Sequence, residues 1–153
     1  MKFKEFAVYL ERLEKTSSRI EITKILAELF KKADKEEIDK IVYLSLGSLA
    51  PSYERVVFNI AEGLMLKIIA EAYKKDLGKI RELYRKKGDL GIVAAVFASG
   101  KGKALSVVKV YDELVKIAKD EGEKSQERKI KDTAELLGAL DPLSARYVVR
   151  IPI

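Results

Sequence analysis

Proline occurs at only three positions, Pro51, Pro142 and Pro152, so backbone chemistry leaves helix open across most of the chain. The apolar residues use that freedom at helical spacing. Phe3, Phe6, Ala7, Leu10 and Leu13 form the stripe of a first helix. Ser17 or Ser18 can cap a second, with Glu21 reaching back toward the cap and Ile22, Ile25, Leu26, Leu29 and Phe30 as its buried face. Asp34 caps a third helix through Leu46, with Ile38, Ile41, Val42 and Leu46 inward, and Gly47, Ser48 and Pro51 end it. Residues 49–60 read as a loop pinned by Tyr53, Val56, Val57 and Phe58.

A fourth helix, about Ala61–Lys75, is the most apolar, through Leu64, Met65, Ile68, Ile69 and Ala72, and belongs near the centre. Asp76 starts a short helix to about Lys86. The run from Lys86 to Gly91 holds two glycines three apart; this reads either as a backbone kept bare for nucleic acid or as a Gly88 C-cap followed by an Asp89 N-cap. Residues 99–103, Ser-Gly-Lys-Gly-Lys, form a flexible basic connector between two helical halves; they lack the GxxxxGK[ST] of a phosphate-binding loop. Ser106 opens a helix to about Asp120, Gly122 ends it, and Ser125–Leu137 is the next. Asp141 caps a last helix with Pro142 at its first position. Leu143, Tyr147 and Val148 pack there, while Arg146 and Arg150 project. The expectation is one compact all-α domain over residues 1–153, built from eight or nine short helices.

The chain contains no Cys and no His, which removes disulfides, thiolate zinc sites, cysteine nucleophiles and any triad with a His base. No isolated carboxylate cluster marks a metal site, and Asp76, Asp89 and Asp141, the acids an enzyme could use, are explained as helix caps. No catalytic residue is assigned. The 153 residues carry a formal charge of +6, compatible with a polyanionic partner or with simple solubility. The single Asn, the single Gln and the abundant Lys and Glu match a heat-adapted composition. No apolar run reaches a membrane span and no export signal is legible at the N-terminus, so the expected location is intracellular, with the nucleoid, and no membrane is involved.

The stretch Gly122-Glu-Lys-Ser-Gln-Glu-Arg-Lys-Ile-Lys131 reads as a turn, a capping Ser125 and a helix that begins with cations. Lys124, Arg128 and Lys129 oppose the helix dipole there, yet cations and free backbone N–H groups together suit a phosphate. The plain alternative is a solvated helix start with Glu123 and Glu127 supplying favourable charge. Ile130, Ala134 and Leu137 would face inward, leaving Arg128, Lys129 and Lys131 at the rim.

Seven segments in this order, Phe3–Ala7, Leu13–Ile20, Tyr43–Pro51, Lys87–Ala94, Val107–Asp112, Gly122–Lys131 and Pro142–Arg150, resemble the N-terminal helical DNA-binding domain of archaeal and eukaryotic ATP-dependent DNA ligases. The resemblance implies a module that sits over the minor groove at a nick and holds duplex DNA by its phosphates, in replication and repair. Phosphate contacts position a duplex without reading its sequence. On the family pattern the contacts are Arg19, Ser125, Arg128, Lys129 and Arg150, with Lys86, Lys87 and Lys124 in second rank. The implied partners are duplex or nicked DNA and the ligase's catalytic domains.

Three departures qualify the likeness. No Lys-x-Asp-Gly nucleophile is present, so the chain is not expected to be an enzyme alone, and the ATP and Mg²⁺ of a full ligase are not expected to bind it. The family's domain continues beyond Arg150 into a minor-groove loop, so the expectation is an incomplete domain that can self-associate through its C-terminal end. Residues 96–105 lack a sliding-clamp motif, which makes a clamp contact doubtful. A different class of reading remains, a helical protein–protein scaffold with no nucleic-acid role.

Overall fold

The computed structural model describes residues 1–49 and 58–153. Among these it has nine helices: α1 (Phe3–Glu14), α2 (Arg19–Lys32), α3 (Ile38–Ser45), α4 (Glu62–Tyr73), α5 (Leu77–Lys87), α6 (Leu90–Phe97), α7 (Val107–Lys119), α8 (Ser125–Gly138) and α9 (Pro142–Arg150). The described residues form no strand, only an isolated antiparallel bridge between Lys2 and Ser106. The all-α expectation holds, and the last segment is helix. Tyr53, Val56 and Val57, expected to pin a loop, lie outside the described residues.

The starts follow cap chemistry. A side-chain oxygen of Ser18, Asp76, Asp89, Ser106 or Asp141 accepts a backbone N–H two or three residues on, which satisfies one of the donors a helix start leaves over. Gly88 closes α5 at φ +70° and Asp89 opens α6, so the cap reading of that glycine turn is the one observed. Gly91 does keep a backbone bare, but for protein: a Cβ there would stand 2.5 Å from the Arg146 carbonyl oxygen. α6 thus lies directly against α9, and α4 lies along α8. α4 is central as expected, with Met65, Ile68 and Ile69 fully buried.

Four expectations need correction. Phe30 is 36% exposed, because α2 leans chiefly on α1 and buries only the narrow line of Ile25 and Leu29. Leu46 is 77% exposed, since α3 ends at Ser45 and the following turn carries Leu46 off the buried stripe. Asp34 caps a turn one step earlier than α3, accepting from the Glu36 and Glu37 amides. Ser125 is not a cap: Gly122 (φ +91°) and Lys124 (φ +61°) wind the chain so tightly that Ser125 is already the first helical residue.

The segment between α6 and α7 has no regular structure, yet its far end is tied down. The Lys103 amide donates to Ala139, that of Phe3 to Leu105 and that of Val107 to Met1, at 2.7–3.0 Å.

Candidate nucleic-acid interface

Two clusters of the expected residues form, one at the corner between α7 and α8, the other where α1, α6 and α9 meet. At the corner, the Arg128 guanidinium donates through Nε and Nη2 to the Asp120 carboxylate at 2.7–3.0 Å, and also to the Glu123 and Glu121 carbonyls. The hydrogen bond from Arg128 holds the Asp120 carboxyl below its ordinary range. Arg128 therefore staples the turn that presents the start of α8.

Lys129 corrects its expected place at the rim. It is 4% exposed, and its ammonium donates to the Phe58 carbonyl at 2.7 Å. A signal for this was present: Lys129, Thr133, Leu136 and Leu137 repeat at i, i+4, i+7 and i+8, one buried stripe of α8. The start of α8 carries no side-chain cap. The Ser125 amide donates to Gly122 and that of Arg128 to Lys124, while no described residue accepts from the amides of Gln126 and Glu127.

The second cluster centres on Arg150. Its Nη1 donates to Glu14 at 3.0 Å, Nη2 lies 3.0 Å from Asp89, and the guanidinium sits 5.2 Å over the Tyr147 ring. Arg150 therefore does not project free, as expected from sequence, but ties α9 to α1 and α6. Arg146 likewise lies 3.9 Å from Glu11. The Tyr147 hydroxyl donates to Glu14, and this bond, with smaller help from Arg150, pulls the Glu14 carboxyl below its ordinary range. Burial and the Glu14 charge push Tyr147 up to about 12.

The depressed Glu14 value fixes a sign. Its contribution to stability is complete above the unfolded carboxylate pKa and is lost as pH falls through the lower folded value. Tyr147→Phe removes the largest cause of the depression, so its stability should start lower at neutral pH and fall less than the wild type's as pH drops, the two curves converging in acid. Melting curves between about pH 5 and pH 2 test this, and parallel curves for the two proteins would contradict it.

The segment 58–62 joins the clusters. Phe58 receives Lys129, Asn59 lines a cleft of about 370 Å³ with Ser125 and Gln126, and Ile60–Glu62 line another of about 410 Å³ with Gly88, Asp89 and Arg150. Four residue steps span at most ~14 Å, so the two clusters lie close together along this segment. Lys86 and Lys87 end α5 beside that second cleft, exposed; Lys86 lies 3.6 Å from Glu82. Arg19 begins α2 five residues after Glu14, hence within ~18 Å of the Arg150 cluster. Among the described residues Arg19, Lys87 and Lys124 make no ion pair.

A family model described as DNA ligase N terminus matches residues 2–152. The chain belongs to this family. A probable DNA ligase of Dictyoglomus thermophilum is 43% identical over 151 residues, covering 99% of this chain and 26% of the relative. A DNA ligase of Sulfolobus acidocaldarius is 40% identical over 164 residues, covering 98% and 27%, and a probable DNA ligase of Aquifex aeolicus is 41% identical over 154, covering 98% and 26%. The chain thus spans about a quarter of the length of the curated relatives it matches. No described helix is long and apolar enough to cross a membrane.

Proposed function

We propose that this ligase N-terminal domain holds nicked duplex DNA by its phosphates, without reading sequence, and that it acts as the non-catalytic module of an ATP-dependent ligase. The observation that carries the reading is the start of α8. Its Gln126 and Glu127 amides have no acceptor among the described residues, and exposed Lys124 stands beside them. A phosphate oxygen completes such a helix start, accepting the amides while the dipole favours its charge.

Lys124 and Ser125 are the direct contacts at this corner, and Arg128 and Lys129 position it through Asp120 and Phe58. Along the same edge Lys86, Lys87 and the outer rim of Arg150 contact neighbouring phosphates, and Arg19 extends the track. In this reading nucleotidyl transfer, with its ATP and Mg²⁺, falls to other parts of a ligase, since this sequence holds no Lys-x-Asp-Gly.

Fluorescence anisotropy of a labelled nicked duplex tests the reading. With about four to six phosphates neutralised, log K falls against log salt with a slope of roughly −4 to −5, and Kd lies at ~10⁻⁴–10⁻⁶ M near physiological salt. Lys124→Ala reduces the slope by about one and weakens binding to unrelated sequences alike. Absence of binding at low salt, or a response flat in salt, would remove the phosphate mechanism and leave the helical scaffold.

A further inference from the structure

A second cationic site lies at the other end of the molecule. Lys2, Lys4, Lys101 and Lys103 rim a cleft of about 330 Å³. Phe3 and Leu140, both buried, and half-buried Leu105 give it an apolar lining. Its walls are fixed by the Lys2–Ser106 bridge and by Lys103 on Ala139. Gly102, at φ +64°, sits so close to the α8–α9 turn that a Cβ would stand 2.5 Å from the Asp141 amide nitrogen.

The charges on this rim are uncompensated. All four lysines are exposed, and none pairs with a carboxylate among the described residues. Lys2 donates only to the Ala104 carbonyl. Lys15, Lys32, Lys40, Lys86 and Lys109 each have an acidic neighbour. Lys24, Lys31, Lys87 and Lys124 have none among the described residues either, and what sets this rim apart is that four such lysines surround one cleft. The one acid in the cleft, Asp141, is buried and already accepts from the Ser144 amide and hydroxyl.

The place of the cleft separates it from the proposed duplex edge. α1 and α9 both begin beside it and both end at the Glu14–Arg150 cluster, ~13–18 Å away along their axes. The chemistry differs too. Lysines serve the proposed duplex edge as well, through Lys86, Lys87 and Lys124; what this rim adds is an apolar lining of Phe3, Leu105 and Leu140 among its charges. A phosphate backbone tracking a surface needs no apolar cavity. An acidic peptide with one apolar side chain uses both parts, the side chain in the cleft and the flanking carboxylates on the lysines.

We infer that the cleft between the start of α1 and residues 101–105 docks an acidic segment of a partner protein, anchored by a single apolar residue. The site is independent of the duplex edge, so both ligands bind together.

The test uses a fluorescein-labelled peptide of Asp and Glu with one central Phe, titrated with the whole chain at low salt. The expected result is saturable binding, weaker when the Phe is replaced by Gly. Lys4→Glu with Lys101→Glu, both exposed and making no side-chain bond to a described residue, weakens it at least about tenfold. Lys24→Glu with Lys31→Glu on α2 changes net charge equally and leaves it within about twofold. Unlabelled nicked duplex does not displace the peptide, and duplex binding is measured separately on the same proteins. The inference is overturned by no peptide binding, by equal losses in the two double variants, by indifference to the Phe, or by displacement with duplex. Failure of duplex binding alone would bear on the interface across α8 and leave this site standing.

Discussion

Gly91→Ala destabilises the domain by about 3 kcal/mol, at the upper end of ordinary overpacking, and lowers Tm by roughly 6–12 °C for a chain of this size. The added Cβ meets the Arg146 carbonyl oxygen at 2.5 Å, the Arg150 Nε at 2.8 Å and an Asp89 carboxylate oxygen at 3.0 Å. The first of these is backbone in the middle of α9 and cannot swing away, so α6 and α9 must part. Gly63 is the control. A Cβ there meets nothing within 4 Å, so Gly63→Ala is neutral or gains about 0.5 kcal/mol from the reduced freedom of the unfolded chain. Thermal unfolding of both variants decides; equal behaviour would mean that the α6–α9 contact is not tight. Because Arg150 is one of the displaced groups, the Gly91 variant should also bind nicked duplex more weakly at temperatures where it remains folded.

The contrast between these two glycines shows where sequence stops informing. Caps were legible because their chemistry is local: Ser18, Asp76, Asp89, Ser106 and Asp141 each satisfy an amide within three residues. Burial was legible where an apolar stripe meets a neighbour along its length, as for Met65, Ile68 and Ile69. Phe30 sits on an equally regular stripe and stays exposed, because stripe width depends on how many helices a helix touches. The partners of the cations were illegible for the same reason. Arg150 finds Asp89 and Glu14 across 61 and 136 residues of chain, and Lys129 finds Phe58 across 71. Periodicity does place Lys129 on the buried stripe of α8; residue type, a cation near a helix start, argued the other way. The family likeness was legible along almost the whole chain, since it rests on the order of short segments, which survives without knowledge of any contact.

The proposed duplex edge and the proposed peptide cleft share a physical logic despite the different ligands assigned to them. At the edge, internal acceptors hold Arg128 and Lys129 and so fix in advance the backbone that would present Lys124 and the α8 amides to a phosphate. In the cleft the backbone is fixed and the lysines are not, which suits an adaptable acidic chain better than a rigid duplex.

Glu37→Gln costs about 1.5–3 kcal/mol, the ordinary worth of hydrogen bonds to a charged group. Both carboxylate oxygens of Glu37 accept from the Met1 ammonium at 2.9 Å; the Glu37 side chain is 4% exposed, while Met1 is half-buried. The pair does mechanical work in the fold, since the Met1 carbonyl also accepts from the Val107 amide at 3.0 Å and so clamps the start of α3 to that of α7. The substituted amide keeps the shape and one acceptor but leaves the half-buried ammonium without its counter-charge. Acetylating Met1 in the wild-type chain removes the other charge and should cost a similar amount. Each change alone leaves one charge without its partner, whereas both together leave none. The acetylated Glu37→Gln chain should therefore lose much less than the sum of the two, and the shortfall measures the coupling. Urea unfolding of the four proteins closes the cycle. Additive losses, or a loss below about 1 kcal/mol for Glu37→Gln, as at an exposed pair, would show that water reaches both groups and that hydrogen bonds from Met1, not its charge, hold α3 against α7.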